Sequence, residues 1–275
     1  MSRLQARFRE LGTHGEGALV GHLVAGDPDL AQGREYARAL LAAGIDALEL
    51  SIPFSDPVAD DSALQAAHLR ALQAGIRPPA IFELVRELRR ETSSPILLMT
   101  YYNPVLAIGE EAFVKRCFDA SVDGVGIWDL PVEEATAFVS QARRYRIDTI
   151  FLATTETGDE RLRMMAGETT GFLYIASRYG RTESFLARAR ALLPPELPCV
   201  VECESSTSEG IRATVRAGAQ GIVIGSSLAE RIASGISPEA LRSFVQELKV
   251  GGTRPSLPEP PQKPEMTDGA PPVSS

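Results

Sequence analysis

A (β/α)8 barrel is the fold the sequence predicts, with a doubly wound open sheet as the alternative. Three observations carry the prediction. Eight short apolar runs recur along the chain, each followed by a stretch of helical periodicity, which is the rhythm of parallel βα units. The 275 residues suit a single α/β barrel, a fold that needs about 250. The two carboxylates with the most chemical promise, Glu49 and Asp60, fall on the side where strands end and where barrels carry their chemistry.

Taken in order, Ser2 to Leu11 reads as a short amphipathic helix with Leu4, Phe8 and Leu11 on one face, fit to plug the bottom of a barrel. Ala18 to Ala25 is the first strand. It ends at GDPDL, where Asp27 is expected to cap a helix and Pro28 to take its first position. That helix runs to about Ala43, and Gly44 stops it. The second strand, Ala47 to Ile52, alternates Leu48, Leu50 and Ile52 against Ala47, Glu49 and Ser51. With the large aliphatics under a helix, Glu49 points into the sheet interior.

Ser62 to Ala74 and Pro79 to Glu91 read as two helices parted by Gly75 and a Pro pair. Pro95 to Tyr101 is the third strand, followed by YNPV and a helix from Glu110 to Ala120. Asp123 to Asp129 is the fourth strand, and Pro131 opens a helix reaching about Tyr145. Asp148 to Thr154 is the fifth strand, with a charged helix around Asp159 to Ala166. Gly171 to Ser177 is the sixth, before a helix from Glu183 to Leu193. Pro198 to Glu204 is the seventh, before a helix from Thr207 to Ala217. Gly221 to Ser227 is the eighth, running into helices at Leu228 to Ala233 and Pro238 to Lys249. Residues 1–250 therefore read as one barrel domain. From Gly251 the chain is Pro-rich without apolar periodicity, so 251–275 is expected to be a disordered tail.

Composition narrows the partners. A net charge of −8 argues against nucleic acid or an anionic membrane surface. Cys117, Cys199 and Cys203 have no CxxC spacing, so neither a disulfide framework nor a zinc site is expected, and a reducing cytoplasm fits best. The N-terminus lacks the apolar core of a signal peptide, and no stretch resembles a transmembrane span.

The chemistry centres on Glu49 and Asp60. An interior carboxylate is costly unless paired or used, because desolvation raises its pKa. A second carboxylate in a different setting allows general acid and general base to be divided between two groups. The bland alternative makes Glu49 a surface or edge residue and Asp60 a turn former. A metal site built from His22, Glu202, Cys203 and Glu204 is not expected, since strand alternation puts Cys203 opposite the two Glu side chains. His14 and His68 read as ordinary surface or helix residues.

The segment LELSIPFSDPVAD followed by LRALQAGIRP resembles the tryptophan synthase alpha chain family, whose corresponding run is LELGIPFSDPxADGP. AGDP at 25–28, LMTYYNPV at 98–105, DLPVEEA at 129–135, GFLYIASRYG at 171–180 and AGAQGIVIGSS at 217–227 extend the likeness from about Leu4 to Lys249. The resemblance implies a barrel enzyme without cofactor or metal that splits indole-3-glycerol phosphate by retro-aldol into indole and glyceraldehyde 3-phosphate. It implies that Glu49 protonates the indole ring carbon and takes part in deprotonating the side-chain hydroxyl. Asp60 engages the indole N–H. Tyr174 and Tyr101 match residues at the substrate, though both would serve equally as core aromatics. The intact IPFSDP and YYNP loops imply a beta chain partner in an α2β2-like assembly.

Departures gather at the substrate end. The family's phosphate loop, GFGIS, reads Glu202, Cys203, Glu204, Ser205, Ser206 here, while Gly225, Ser226 and Ser227 keep the second half of the site. His22 stands where the family has a pocket Phe, and is open to a role as hydrogen-bond donor to substrate. Asp61 and Ser62 replace a Gly-Pro pair, and Arg181 and Glu183 alter a loop in which Thr182 is kept. Each added carboxylate about 4 Å from a phosphate costs roughly 1 to 4 kcal/mol. Three functions follow: the family lyase, a related enzyme acting on an unphosphorylated or cationic indole-like substrate, or a non-catalytic activator of a beta chain.

Overall fold

The computed structural model describes residues 1–176, 182–203 and 206–253. Eight parallel strands close into a barrel in sequence order: β1 (Ala18–Val24), β2 (Ala47–Ser51), β3 (Ile96–Thr100) and β4 (Gly124–Ile127). They continue with β5 (Asp148–Thr154), β6 (Leu173–Ala176), β7 (Cys199–Glu202) and β8 (Gly221–Ile224), which pairs back onto β1. The open-sheet alternative is thereby excluded.

Period-two alternation splits the core into two layers. Leu48, Leu50 and Ile52 pack outward with the surrounding helices. Inside, Val20, Ala47, Leu97, Met99, Ile150, Tyr174, Val200 and Val223 fill the barrel over Leu4, Phe8 and Leu11. Those three come from the helix Arg3–Thr13, which plugs the bottom with Phe8 against Phe172 at a ring separation of 5.8 Å. Arg7 and Lys249 converge on buried Asp46, tying the plug and the last helix to the start of β2.

Four expectations change. The helix after β1 is Leu30–Ala42, capped by Asp29 through Ala31 and Gln32 N–H, not by Asp27. Asp27 is buried and takes a bidentate bond from Arg70 at 2.6 and 2.7 Å, since a buried carboxylate needs a partner more than a helix needs a second cap. After Pro131 the chain makes two i→i+3 turns, so the helix begins at Thr136. Tyr102–Ile108 is helical although Pro104 suggested a loop, because proline costs little in a first turn whose N–H groups lack partners anyway. Finally, the last helix runs Pro238–Gly252, and Thr253 is buried with its carbonyl accepting from Gly17 N–H at 3.0 Å. The Gly pair at 251–252 thus continues a helix already anchored at Lys249. The rest of the expected tail, 254–275, lies outside the described residues.

Among the described residues no helix is long and apolar enough to cross a membrane.

Candidate active site

The fold delivers a cluster of ionisable side chains to the C-terminal mouth of β1 and β2. His22 and Glu49 are register partners on the two strands, and Ser51 lies two residues on from Glu49 on the same interior face. All three are 2 % exposed or less. His22 Nε2 lies 2.8 Å from Ser51 Oγ, and His22 Nδ1 lies 3.3 Å from Glu49 Oε2. Neither Glu49 oxygen has a well-aligned hydrogen bond among the described residues, and the 3.3 Å approach of His22 Nδ1 is its polar contact there.

Burial raises the Glu49 pKa, and His22 offsets only part of that rise. For His22, burial opposes the charged form. The contact with Glu49 and the fields of Glu49, Asp60 and Glu202 outweigh it, and the pKa rises. Both ring nitrogens of His22 face protein groups, Ser51 at Nε2 and Glu49 at Nδ1.

Asp60 sits in the loop after β2, also buried, in a different setting. Tyr101, at the end of β3, donates its hydroxyl to Asp60 Oδ2 at 2.8 Å and accepts from Ala59 N–H at 3.0 Å. His68 Nε2 approaches the same oxygen at 3.3 Å. Burial alone would raise the Asp60 pKa. His68, His22 and Tyr101 outweigh it and hold the carboxyl below its ordinary value. Burial and Asp60 together push the Tyr101 phenol far up, so it keeps the proton it donates to Asp60. Two interior carboxylates with proton affinities driven in opposite directions are equipped to divide acid and anion roles.

His68 corrects the sequence reading, which set it aside as a surface or helix residue. It is 1 % exposed on the helix Ser62–Gln73, and its Nδ1 accepts Phe54 N–H at 3.1 Å. The available signal was its place on the stripe of Leu64, Ala67 and Ala71, which marks the buried face. Trp128, just beyond β4, was also missed. Its ring meets Tyr174 edge-on at 4.8 Å against the interior cluster.

The remaining predicted residues lie on β7, β8 and their loops. Glu202 ends β7 opposite Val223, while Cys203 packs against the outer helical layer. Cys203 is therefore corrected: alternation turns it away from the interior that Val200 faces. Gly225 backs onto His22, and a Cβ built there would lie 3.4 Å from His22 Cβ. Ser226 and Ser227 open the helix Ser226–Ala233. Ser226 donates its hydroxyl to Asp61 Oδ2, and Ser206 Oγ lies 2.5 Å from Ser227 Oγ. Asp61 Oδ1 meanwhile caps the helix Ser62–Gln73 through Ala63 and Leu64 N–H. A carboxylate thus stands at the first residue of the helix that follows β8. Thr182 begins the helix Thr182–Leu192. Glu204, Ser205 and Arg181 lie outside the described residues.

Comparison with known proteins bears on this constellation. Residues 8–252 match the family model described as tryptophan synthase alpha chain. The tryptophan synthase alpha chain of Thermococcus kodakarensis is 39 % identical over 245 residues, 85 % of this chain and 96 % of that one. Its counterpart in Pyrococcus abyssi is 40 % identical over 247 residues, 85 % of this chain and 98 % of that one. A solved tryptophan synthase α2β2 complex from Pyrococcus furiosus contains a chain 37 % identical, with a TM-score of 0.80 over 86 % of this chain and 98 % of that one. This closed eight-stranded barrel, with its buried Glu49 and loop Asp60 at one mouth, belongs to the tryptophan synthase alpha chain family.

Proposed function

We propose that this chain is a carbon–carbon lyase of tryptophan biosynthesis, cleaving indole-3-glycerol phosphate or a close analogue by retro-aldol to indole and glyceraldehyde 3-phosphate. The observation that carries the reading is the opposite tuning of Glu49 and Asp60 at one barrel mouth, in a chain of this family. Glu49, whose hold on its proton burial strengthens, gives that proton to the indole ring carbon adjoining the scissile bond. Its carboxylate then takes the proton of the side-chain hydroxyl as the carbon–carbon bond breaks, which restores the acid. Asp60 stays ionised and accepts from the indole N–H, stabilising the cationic ring formed by carbon protonation. Trp128 and Tyr174 supply an aromatic wall suited to an indole. Neither step calls on a cofactor.

A second reading concerns the far end of the substrate. Ser226 bonded to Asp61, with Glu202 at the end of β7, favours a substrate whose distal group is neutral or cationic rather than a phosphate. Under that reading the carboxylate chemistry is unchanged and the guest differs.

The α2β2 complex formed by the Pyrococcus furiosus relative supports a beta chain as partner. The barrel through Thr253 is taken as the catalytic unit, with 254–275 as an extension outside the reaction, and a cytoplasmic setting fits the substrate.

Indole release is measured from phosphorylated and dephosphorylated indole-glycerol, with and without a beta chain. Turnover of the phosphate ester supports the first reading, and turnover of the dephosphorylated compound alone supports the second. No indole from either, combined with stimulation of a beta chain, overturns both and leaves a non-catalytic activator.

A further inference from the structure

We propose that His22 is a positioning residue for Glu49: anchored by Ser51, it holds the acid's carboxyl and supplies the counter-charge when that acid gives up its proton. The activity arm of this inference rests on the lyase reading above.

The geometry has three parts. His22 and Glu49 are register partners on adjacent strands, so the backbone itself sets their approach, and Nδ1 stands 3.3 Å from Oε2. Ser51 holds the ring from the other side, with Oγ 2.8 Å from Nε2. Glu49 is fully buried, and neither of its oxygens has a well-aligned hydrogen bond among the described residues. When Glu49 delivers its proton to the ring carbon, one C–H bond forms and one O–H bond breaks, leaving a buried carboxylate. An unpaired charge there would oppose the transfer. His22 in its cationic form donates from both nitrogens, to Glu49 and to Ser51. The carboxylate later takes the hydroxyl proton of the substrate, so His22 neither gains nor loses a proton over the cycle.

Among the described residues, the charged groups facing His22 are Glu49 from β2, Asp60 from the following loop and Glu202 from the end of β7. All three are anionic when ionised, and Gly225 closes the side toward β8 without a side chain. The pocket thus favours the imidazolium despite its burial.

Two measurements test this. In the first, kcat/KM for indole release is followed from pH 5 to 10 in wild type, His22→Phe, His22→Gln and Ser51→Ala. Phe removes both contact and charge, so the descending limb that reports loss of the Glu49 proton should move up by about one pH unit. Gln keeps a donor without the charge, so the limb should stay displaced in that variant as well. Ser51→Ala should displace the limb in the same direction by less. The second measurement needs no substrate. The chain has three histidines, and NMR titration of their rings in wild type and Glu49→Gln should show the His22 midpoint falling by at least half a unit in the variant.

An unmoved limb in His22→Phe, or a His22 midpoint indifferent to Glu49→Gln, overturns the proposal. A wild type that releases no indole defeats the lyase reading instead, and the titration then decides the pairing alone.

Discussion

His68 Nε2 points at Asp60 Oδ2 from 3.3 Å while its Nδ1 accepts the Phe54 N–H at 3.1 Å. Because Nδ1 is an acceptor, the ring proton sits on Nε2 and faces the carboxylate. A single histidine thereby fixes the loop at Phe54 and the anion at Asp60. Replacing it with Phe removes one of the influences that hold the Asp60 carboxyl low, so its pKa rises. The acidic limb of the pH–rate profile, where Asp60 loses its charge, should move up by about one unit. Tyr101→Phe should shift the same limb in the same direction, since its hydroxyl donates to the same oxygen.

Glu49→Gln tests the acid itself. Gln is nearly isosteric and cannot deliver the proton, so kcat should fall by about 10²- to 10⁴-fold. KM should change little, and circular dichroism should report an intact fold. Turnover at the wild-type rate would remove Glu49 from the reaction.

Much of this was legible in the sequence, and the reasons are physical. Alternation in β2 placed Glu49 inside because aliphatics at 48, 50 and 52 must face the helices. The plug helix was equally plain from Leu4, Phe8 and Leu11. What stayed hidden were relationships between elements distant in the chain. Asp27 and Arg70 are 43 residues apart, and Asp61 and Ser226 are 165 apart. Local capping rules therefore assigned Asp27 to a helix end when tertiary pairing had claimed it. His22 could be placed on the interior face, but its partner Ser51 becomes evident only when β1 and β2 are laid side by side.

The Asp27–Arg70 pair gives a stability prediction. Asp27 is almost wholly buried, whereas Arg70 is about a quarter exposed, with side-chain values of 3 % and 26 %. Arg70→Leu leaves the carboxylate buried without its partner and should cost about 3 to 5 kcal/mol. The double variant Asp27→Ala, Arg70→Leu removes the stranded charge and should unfold at higher denaturant than Arg70→Leu alone. Urea melts of Asp27→Ala, Arg70→Leu, the double variant and wild type complete the cycle.

Asp148 should make stability depend on pH. Burial raises its pKa to about 6, with Ser2 and Thr170 offsetting part of the rise. The folded value lies above the unfolded one, so its stabilising contribution is complete below the unfolded pKa, near 3.8, and is lost as pH rises through 6. The loss amounts to up to about 3 kcal/mol. Asp148→Asn carries no such titration. The melting temperature of the variant relative to wild type should therefore climb between pH 4 and pH 7.5, by a few degrees at this chain length.

Asp61 offers the sharpest test of what the far end of the site accepts. One carboxylate oxygen caps the helix Ser62–Gln73, and the other takes the Ser226 hydroxyl at the start of the helix after β8. A helix start with free N–H groups attracts anions, but a fixed negative charge bonded to its first residue opposes them. Asp61→Asn preserves the cap, because Asn serves that position as well as Asp does. It removes the charge, and the amide N–H then donates to Ser226 Oγ where the carboxylate accepted. Inhibition by inorganic phosphate, and KM for a phosphorylated substrate, should then improve about tenfold, equivalent to about 1.4 kcal/mol and within the range for one charge at this distance. KM for the dephosphorylated compound should stay where it was. Equal effects on both substrates would mean that Asp61 acts through the helix it caps and not through its charge.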